Sequence, residues 1–177
     1  MDLENNTTSQ LERLSQAFFT NQTKITFKNV GAVAICDLQV LMRLEAALDS
    51  TGALTNPVYE ISEQMLANSL KPGQNLAHNF GSEPALQRLV AMPRERARSH
   101  VLCYVIRYRR EIDKKPKIKL ICFERVQLLP KSDAAFVRPT GIKGISHNPN
   151  GVNLPRVVKR AIWQFLEQLD IVTPLDD

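Results

Sequence analysis

Long apolar runs are missing from this chain. The longest, Val30 to Cys36 and Val101 to Ile106, have the length of strands, whereas a bilayer-spanning helix needs about 18 or more apolar residues. Cysteine is scarce: Cys36, Cys103 and Cys122 lie far apart, with no CxxC pair. Neither a zinc site nor a thioredoxin-like centre is indicated, and three reduced thiols are expected. The three histidines, His78, His100 and His147, show no HxxxH or HExxH spacing, so no metal site is expected. Strand alternation would set His100 and Cys103 on opposite faces, which argues against a thiolate–imidazole pair. GxSxG, GxxxxGK and GxGxxG are all absent, and the expectation is a non-enzymatic protein without a cofactor. The start, Met1-Asp2-Leu3-Glu4-Asn5-Asn6, is acidic and polar, unlike a leader, and there is no Met-Gly start or C-terminal Cys. These features predict a cytoplasmic or nuclear protein that is not secreted, with the sequons at Asn5, Asn6 and Asn21 as chance matches.

What is present is the make-up of an ordinary globular protein: 177 residues, 44% apolar and 23% charged. That length predicts one domain over 1–177, with a flexible N-terminus over 1–8 and an acidic tail over 171–177. The expected class is α+β, with a helix-rich N-terminal half. Ser9 and Glu12 make a capping box ahead of a helix from Thr8 to Thr20, with Leu11, Leu14, Ala17 and Phe18 on one face. Lys24 to Lys28 alternates as a short strand. Asp37 is a good N-cap for a helix through Leu38, Leu41, Met42, Leu44, Ala47 and Leu48, ended by Thr51-Gly52. Asn56-Pro57 predicts a turn, Ile61 to Leu70 a third helix, and Gln74 to Gly81 a loop. Ser82 caps a short helix with Pro84 in its first turn.

In the second half, the β-rich runs His100 to Tyr108 and Lys117 to Val126 flank a polar turn and predict an antiparallel hairpin over about 100–126. A turn centred between Ile112 and Asp113 pairs residues whose numbers sum to about 225, so Cys103 faces Cys122 and Tyr104 faces Ile121. Val101, Cys103, Val105, Ile118, Leu120 and Cys122 then share one face, and Leu102, Tyr104, Ile106, Ile121 and Phe123 the other. Both faces of the hairpin base are apolar and should be buried. Phe136 to Pro155 is rich in Gly, Pro and Asn and should be extended with turns. Within it, Gly141-Ile142-Lys143-Gly144 has the spacing of a GxxG phosphate clamp but lacks flanking helices, and reads as a turn. Asn153 caps a final amphipathic helix over about 154–170, with Val158, Ile162, Phe165 and Leu166 in its stripe.

The net charge of +5 is unevenly spread. Residues 1–70 hold four cations against eight acids, a net of −4, and residues 94–131 hold twelve against four, a net of +8. On a hairpin, Arg107, Arg109, Arg110, Lys114, Lys115, Lys117 and Lys119 would crown a projecting ribbon, with Arg94, Arg96, Arg98 and Arg125 as supporting charge. A cationic ribbon suits a polyanion through long-range attraction and counterion release, and Tyr104 and Tyr108 would add base stacking if exposed. The alternative is a solvated edge whose lysines resist edge-to-edge pairing.

The leading expectation is therefore an assembly protein that binds RNA or ribonucleoprotein through these eleven cations. A second reading is a peripheral scaffold on anionic lipid, which needs exposed apolar residues among the cations. A third is an adaptor or small enzyme whose site forms only in three dimensions. The acidic first half could also meet the basic hairpin of a neighbouring copy. The profile as a whole, one basic domain without a catalytic motif or leader, is similar to small matrix or nucleic-acid-associated structural proteins of RNA viruses, which implies partners among ribonucleoprotein, membrane and copies of the chain.

Overall fold

A computed structural model describes residues 23–93, 100–127, 135–140 and 154–169. The elements in chain order are β1 (Lys24–Lys28), β2 (Ile35–Leu48), β3 (Leu54–Leu70), β4 (Asn75–Asn79), α1 (Pro84–Ala91), β5 (His100–Arg110), β6 (Lys117–Gln127), β7 (Ala135–Thr140) and α2 (Leu154–Gln168). Five strands form one antiparallel sheet in the order β3-β2-β5-β6-β7, while β1 and β4 pair as a separate ribbon. One face of the sheet packs Leu41, Met42, Leu44, Val101, Cys103 and Val105 against Val158, Ile162 and Leu166 of α2. The other packs Leu38, Val40, Leu102, Tyr104, Ile106 and Phe123 beneath α1 and Phe80, with the β1–β4 ribbon alongside. No helix among the described residues is long and apolar enough to cross a membrane.

The helix-rich N-terminal half is overturned. The segments read as helices from Asp37 and from Ile61 are strands β2 and β3, and Asn56-Pro57 lies inside β3 rather than at a turn. Asp37 caps nothing: its φ is +52°. Among the described residues, three non-glycine residues have positive φ, Asp37, Asn56 and Glu63, and each sits at a register shift. Between Cys36/Arg109 and Gln39/Arg107, β2 supplies two residues against Tyr108 alone, and Leu41 has no counterpart between Ile106 and Val105. These are β-bulges, which bend a strand and re-phase its alternation. Before Leu41, the even-numbered Leu38 and Val40 face α1; after it, Met42, Leu44 and Ala46 face α2. A strand buried on both faces, with its phase switched midway, reads as apolar almost continuously, and that resembles a buried helix. Leu, Met, Ala, Glu and Arg are good helix formers, yet β2 gains ladders on both edges and two apolar covers, which outweigh propensity. Pro57, without an N–H to donate, is tolerated because β3 is the edge strand.

The loop expected over 74–81 contains β4 and a single 3-10 turn at Phe80–Ser82. The short helix forms with Pro84 in its first turn, but Glu83, not Ser82, is its N-cap. The Lys24–Lys28 strand and the final helix also form. Cys103 pairs with Cys122, Tyr104 with Ile121 and Tyr108 with Lys117, as the sum of 225 requires. Both hairpin faces are buried. The hairpin does not project as a free ribbon, however, because β5 is the central strand between β2 and β6. Cys103 and Cys122, directly opposite with Cα atoms 4.1 Å apart, form a disulfide, so three reduced thiols is also corrected; only Cys36 is free. The Thr8–Thr20 helix, the 141–144 turn, the cap at Asn153 and His147 lie outside the described residues.

Candidate anion-binding site

The β5–β6 turn is a tight one. Asp113 donates its N–H to the Arg110 carbonyl at 2.8 Å, and Glu111 N–H reaches back to Ala34 O at 2.9 Å, tying the turn to the start of β2. The Arg110 guanidinium grips Asp113 with two hydrogen bonds of 2.7 Å, and Lys117 Nζ lies 3.8 Å from the same carboxylate. Arg110 therefore holds the Asp113 carboxyl below the usual range, with Lys117 adding to the effect, and Asp113 in turn raises Arg110.

Alternation divides the cations between two faces. Arg107 and Arg109 continue the side of Val101, Cys103 and Val105, and Arg109 pairs with Asp37 at 3.3 Å. Arg110 and Lys119 instead line a pocket on the other face, and Lys119 stands over the Tyr108 ring, 5.8 Å from its centroid. Lys114 and Lys115 are exposed in the turn itself. Arg125 turns inward and donates to the Val90 carbonyl at 3.1 Å, bridging β6 to α1. Arg94, Arg96 and Arg98 lie outside the described residues. The seven-cation crown is thus two groups on opposite faces and a tip, and two of its arginines are already paired with carboxylates.

Neither tyrosine offers a free stacking platform. Tyr104 is 1% exposed, packed between Phe80 and Phe123 with ring centroids 4.6 and 5.8 Å away. Tyr108 is half-buried in the pocket wall, where burial pushes its phenol up.

Sequence reasoning missed the residues that meet the hairpin from the other end of the chain. The pocket of about 460 Å³ lies between the hairpin end and the β1–β2 loop, over Phe27, Leu38, Leu70 and Ile106. Lys28 joins Arg110 and Lys119 in its lining. Val30 and Ile112 line it as well, yet are 85% and 66% exposed. Asn29, 2% exposed, fixes the loop: its Nδ2 donates to Val33 O at 2.9 Å and Leu70 O at 2.8 Å, and its Oδ1 accepts from Gly31 N–H at 3.0 Å. One signal was available, since Ile112 is an apolar residue inside an otherwise charged turn. The contribution of Lys28 and Val30 exists only in the tertiary structure. No family model, curated protein or solved structure matches the chain.

Proposed function

We propose that this protein is a non-enzymatic, peripheral binding protein that docks on an anionic lipid surface with the hairpin end. One observation carries the reading: Val30 and Ile112 are exposed and line the same pocket as Lys28 and Lys119, and Lys114 and Lys115 are exposed in the turn that holds Ile112. A phosphate polymer gains from the lysines alone. A lipid interface gains from both, with about 1 kcal/mol per Lys near an anionic surface and about 1.5–3 kcal/mol for each Val or Ile fully buried. The side chains that made a nucleic-acid interface attractive are otherwise engaged: Tyr104 is buried and Arg109 and Arg110 are paired with carboxylates.

Flotation with phosphatidylserine-containing vesicles tests this. Binding should fall with salt, be absent on neutral phosphatidylcholine, and weaken at least tenfold in Lys114→Glu/Lys115→Glu and in Val30→Ser/Ile112→Ser. Asp113→Asn, which frees Arg110 and Lys117 from their shared carboxylate, should strengthen it. Failure to float on anionic vesicles refutes the reading. RNA binding that is salt-sensitive but indifferent to Val30→Ser/Ile112→Ser would instead establish the nucleic-acid alternative.

A further inference from the structure

The pocket behind the exposed lip has a chemistry of its own. Its floor is buried and apolar, with Leu38, Leu70 and Ile106 each at most 5% exposed. Among the described residues, its charged lining is Lys28, Arg110 and Lys119, with no carboxylate. Lys28 and Lys119 have no ion-pair partner among the described residues, so two cations are available to a ligand. The Asn29 clasp holds the β1–β2 wall in place with three side-chain hydrogen bonds, so the cavity is formed before anything enters it. A preformed apolar cavity with a few convergent polar groups is the usual form of a small-molecule site, and about 460 Å³ lies within the ~300–1,000 Å³ such sites occupy. At roughly 30 Å³ per water-sized group, it holds about fifteen non-hydrogen atoms.

We propose that this pocket binds one amphipathic anion, a medium-length aliphatic chain lying on Phe27, Leu38, Leu70 and Ile106 with its carboxylate or phosphate head between Lys28 and Lys119. Charge and apolar floor act together. A neutral chain would leave the lysines unanswered, and a bare phosphate would leave the floor empty. This deepens the lipid-surface reading by giving its apolar element an interior, but it stands on the pocket alone and fails separately.

The test is titration calorimetry of the full chain with dodecanoate below its micellar concentration, alongside dodecanol and inorganic phosphate. Dodecanoate should bind one to one, and dodecanol and phosphate at least tenfold more weakly. Lys28→Glu/Lys119→Glu, at two exposed positions, should lower dodecanoate affinity at least tenfold while leaving the circular dichroism spectrum and melting temperature intact. Ala32→Trp, a bulky residue at an exposed lining position, should also lower it. Absence of saturable dodecanoate binding, equal binding of dodecanol, or indifference to both variants would overturn the proposal. Vesicle flotation separates the two readings. Dodecanoate binding without flotation keeps the pocket and removes the surface, and flotation without dodecanoate binding does the reverse. Where both occur, competition between them assigns the chain to a bilayer lipid, and independence assigns it to a free amphiphile.

Discussion

Phe80→Ala should be among the most damaging single substitutions in this fold, and its cost can be worked from its surroundings. Phe80 is fully buried and follows directly on β4, so it closes one cover onto the sheet. Its ring lies 4.6 Å from His78, 4.6 Å from Tyr104 and 5.8 Å from Phe123. A buried Phe removes at least ~150 Å² from water, worth about 4 kcal/mol at ~25 cal/mol/Å². Partial collapse of the void offsets some of that and lost aromatic pairs add to it, giving the ~3–5 kcal/mol usual for such truncations. A chain of this length shifts by ~2–4 °C per kcal/mol, so a loss of about 4 kcal/mol, the middle of the truncation range, should lower the melting temperature by roughly 8–16 °C. With a urea slope near ~2 kcal/mol/M, the midpoint should fall by about 2 M. Hydrogen exchange supplies a second readout, because the amides of β1 and β4 should lose protection before those of β5. Val30→Ala, at an 85% exposed position, is the control and should be nearly neutral. A loss below about 1.5 kcal/mol, or uniform loss of protection, would refute the argument that Phe80 pins the ribbon side to the sheet.

His78 and the disulfide give two further expectations. The Nε2 of His78 is buried without a hydrogen-bond partner among the described residues, and burial pushes its imidazole below the ordinary 6.5, opposed in part by Glu83. A depressed histidine contributes its full stability above about pH 6.5 and loses it as pH falls toward the folded-state value. Melting temperature should therefore decline between pH 7 and pH 5 more steeply than in His78→Gln, and parallel slopes would refute this. Cys103 and Cys122 close a loop of sequence separation 19, for which chain entropy gives about 3 kcal/mol. Reduction should lower the melting temperature by roughly 6–12 °C, and Cys103→Ala/Cys122→Ala should behave as the reduced protein does and be indifferent to reductant.

The hairpin was legible in the sequence and β2 was not, and the difference is phase. Between Leu102/Phe123 and Tyr108/Lys117 the β5–β6 ladder runs without a shift, so one turn position fixes every partner and every face. Along β2, the irregularities at Asp37 and Leu41 break the count twice, and those in β3 at Asn56 and Glu63 break it again. Each bulge takes a residue out of the period-2 pattern without leaving a glycine or proline to mark it, Asn56-Pro57 excepted. The outcome at Leu38, Val40, Leu41, Met42 and Leu44 is a dense apolar run in which all but Val40 are strong helix formers. Only the partners on both sides, far away in sequence, decide its conformation.

Charge was legible as a sum and illegible as a display. The +8 over residues 94–131 subtracts Asp113 as a single charge without saying that it engages Arg110 and Lys117 together, and it counts Arg109 in full although Asp37 answers it from β2. It also merges Arg107 and Arg109 with Arg110 and Lys119, which alternation places on opposite faces of the sheet. Among the described residues, the cations left at the hairpin end without an ion pair are a smaller and differently composed set: Lys114 and Lys115 at the tip, and Lys119 with the distant Lys28 over an apolar floor. A linear count of cations favours a polymer of phosphates, since every positive residue is equivalent in it. Two lysines without an ion-pair partner among the described residues, above Phe27, Leu38 and Ile106 and with Val30 and Ile112 left in solvent, favour a ligand that is anionic at one end and hydrocarbon at the other. That selectivity comes from bringing β1 against the hairpin end, and it can be removed at Lys28 without touching the hairpin.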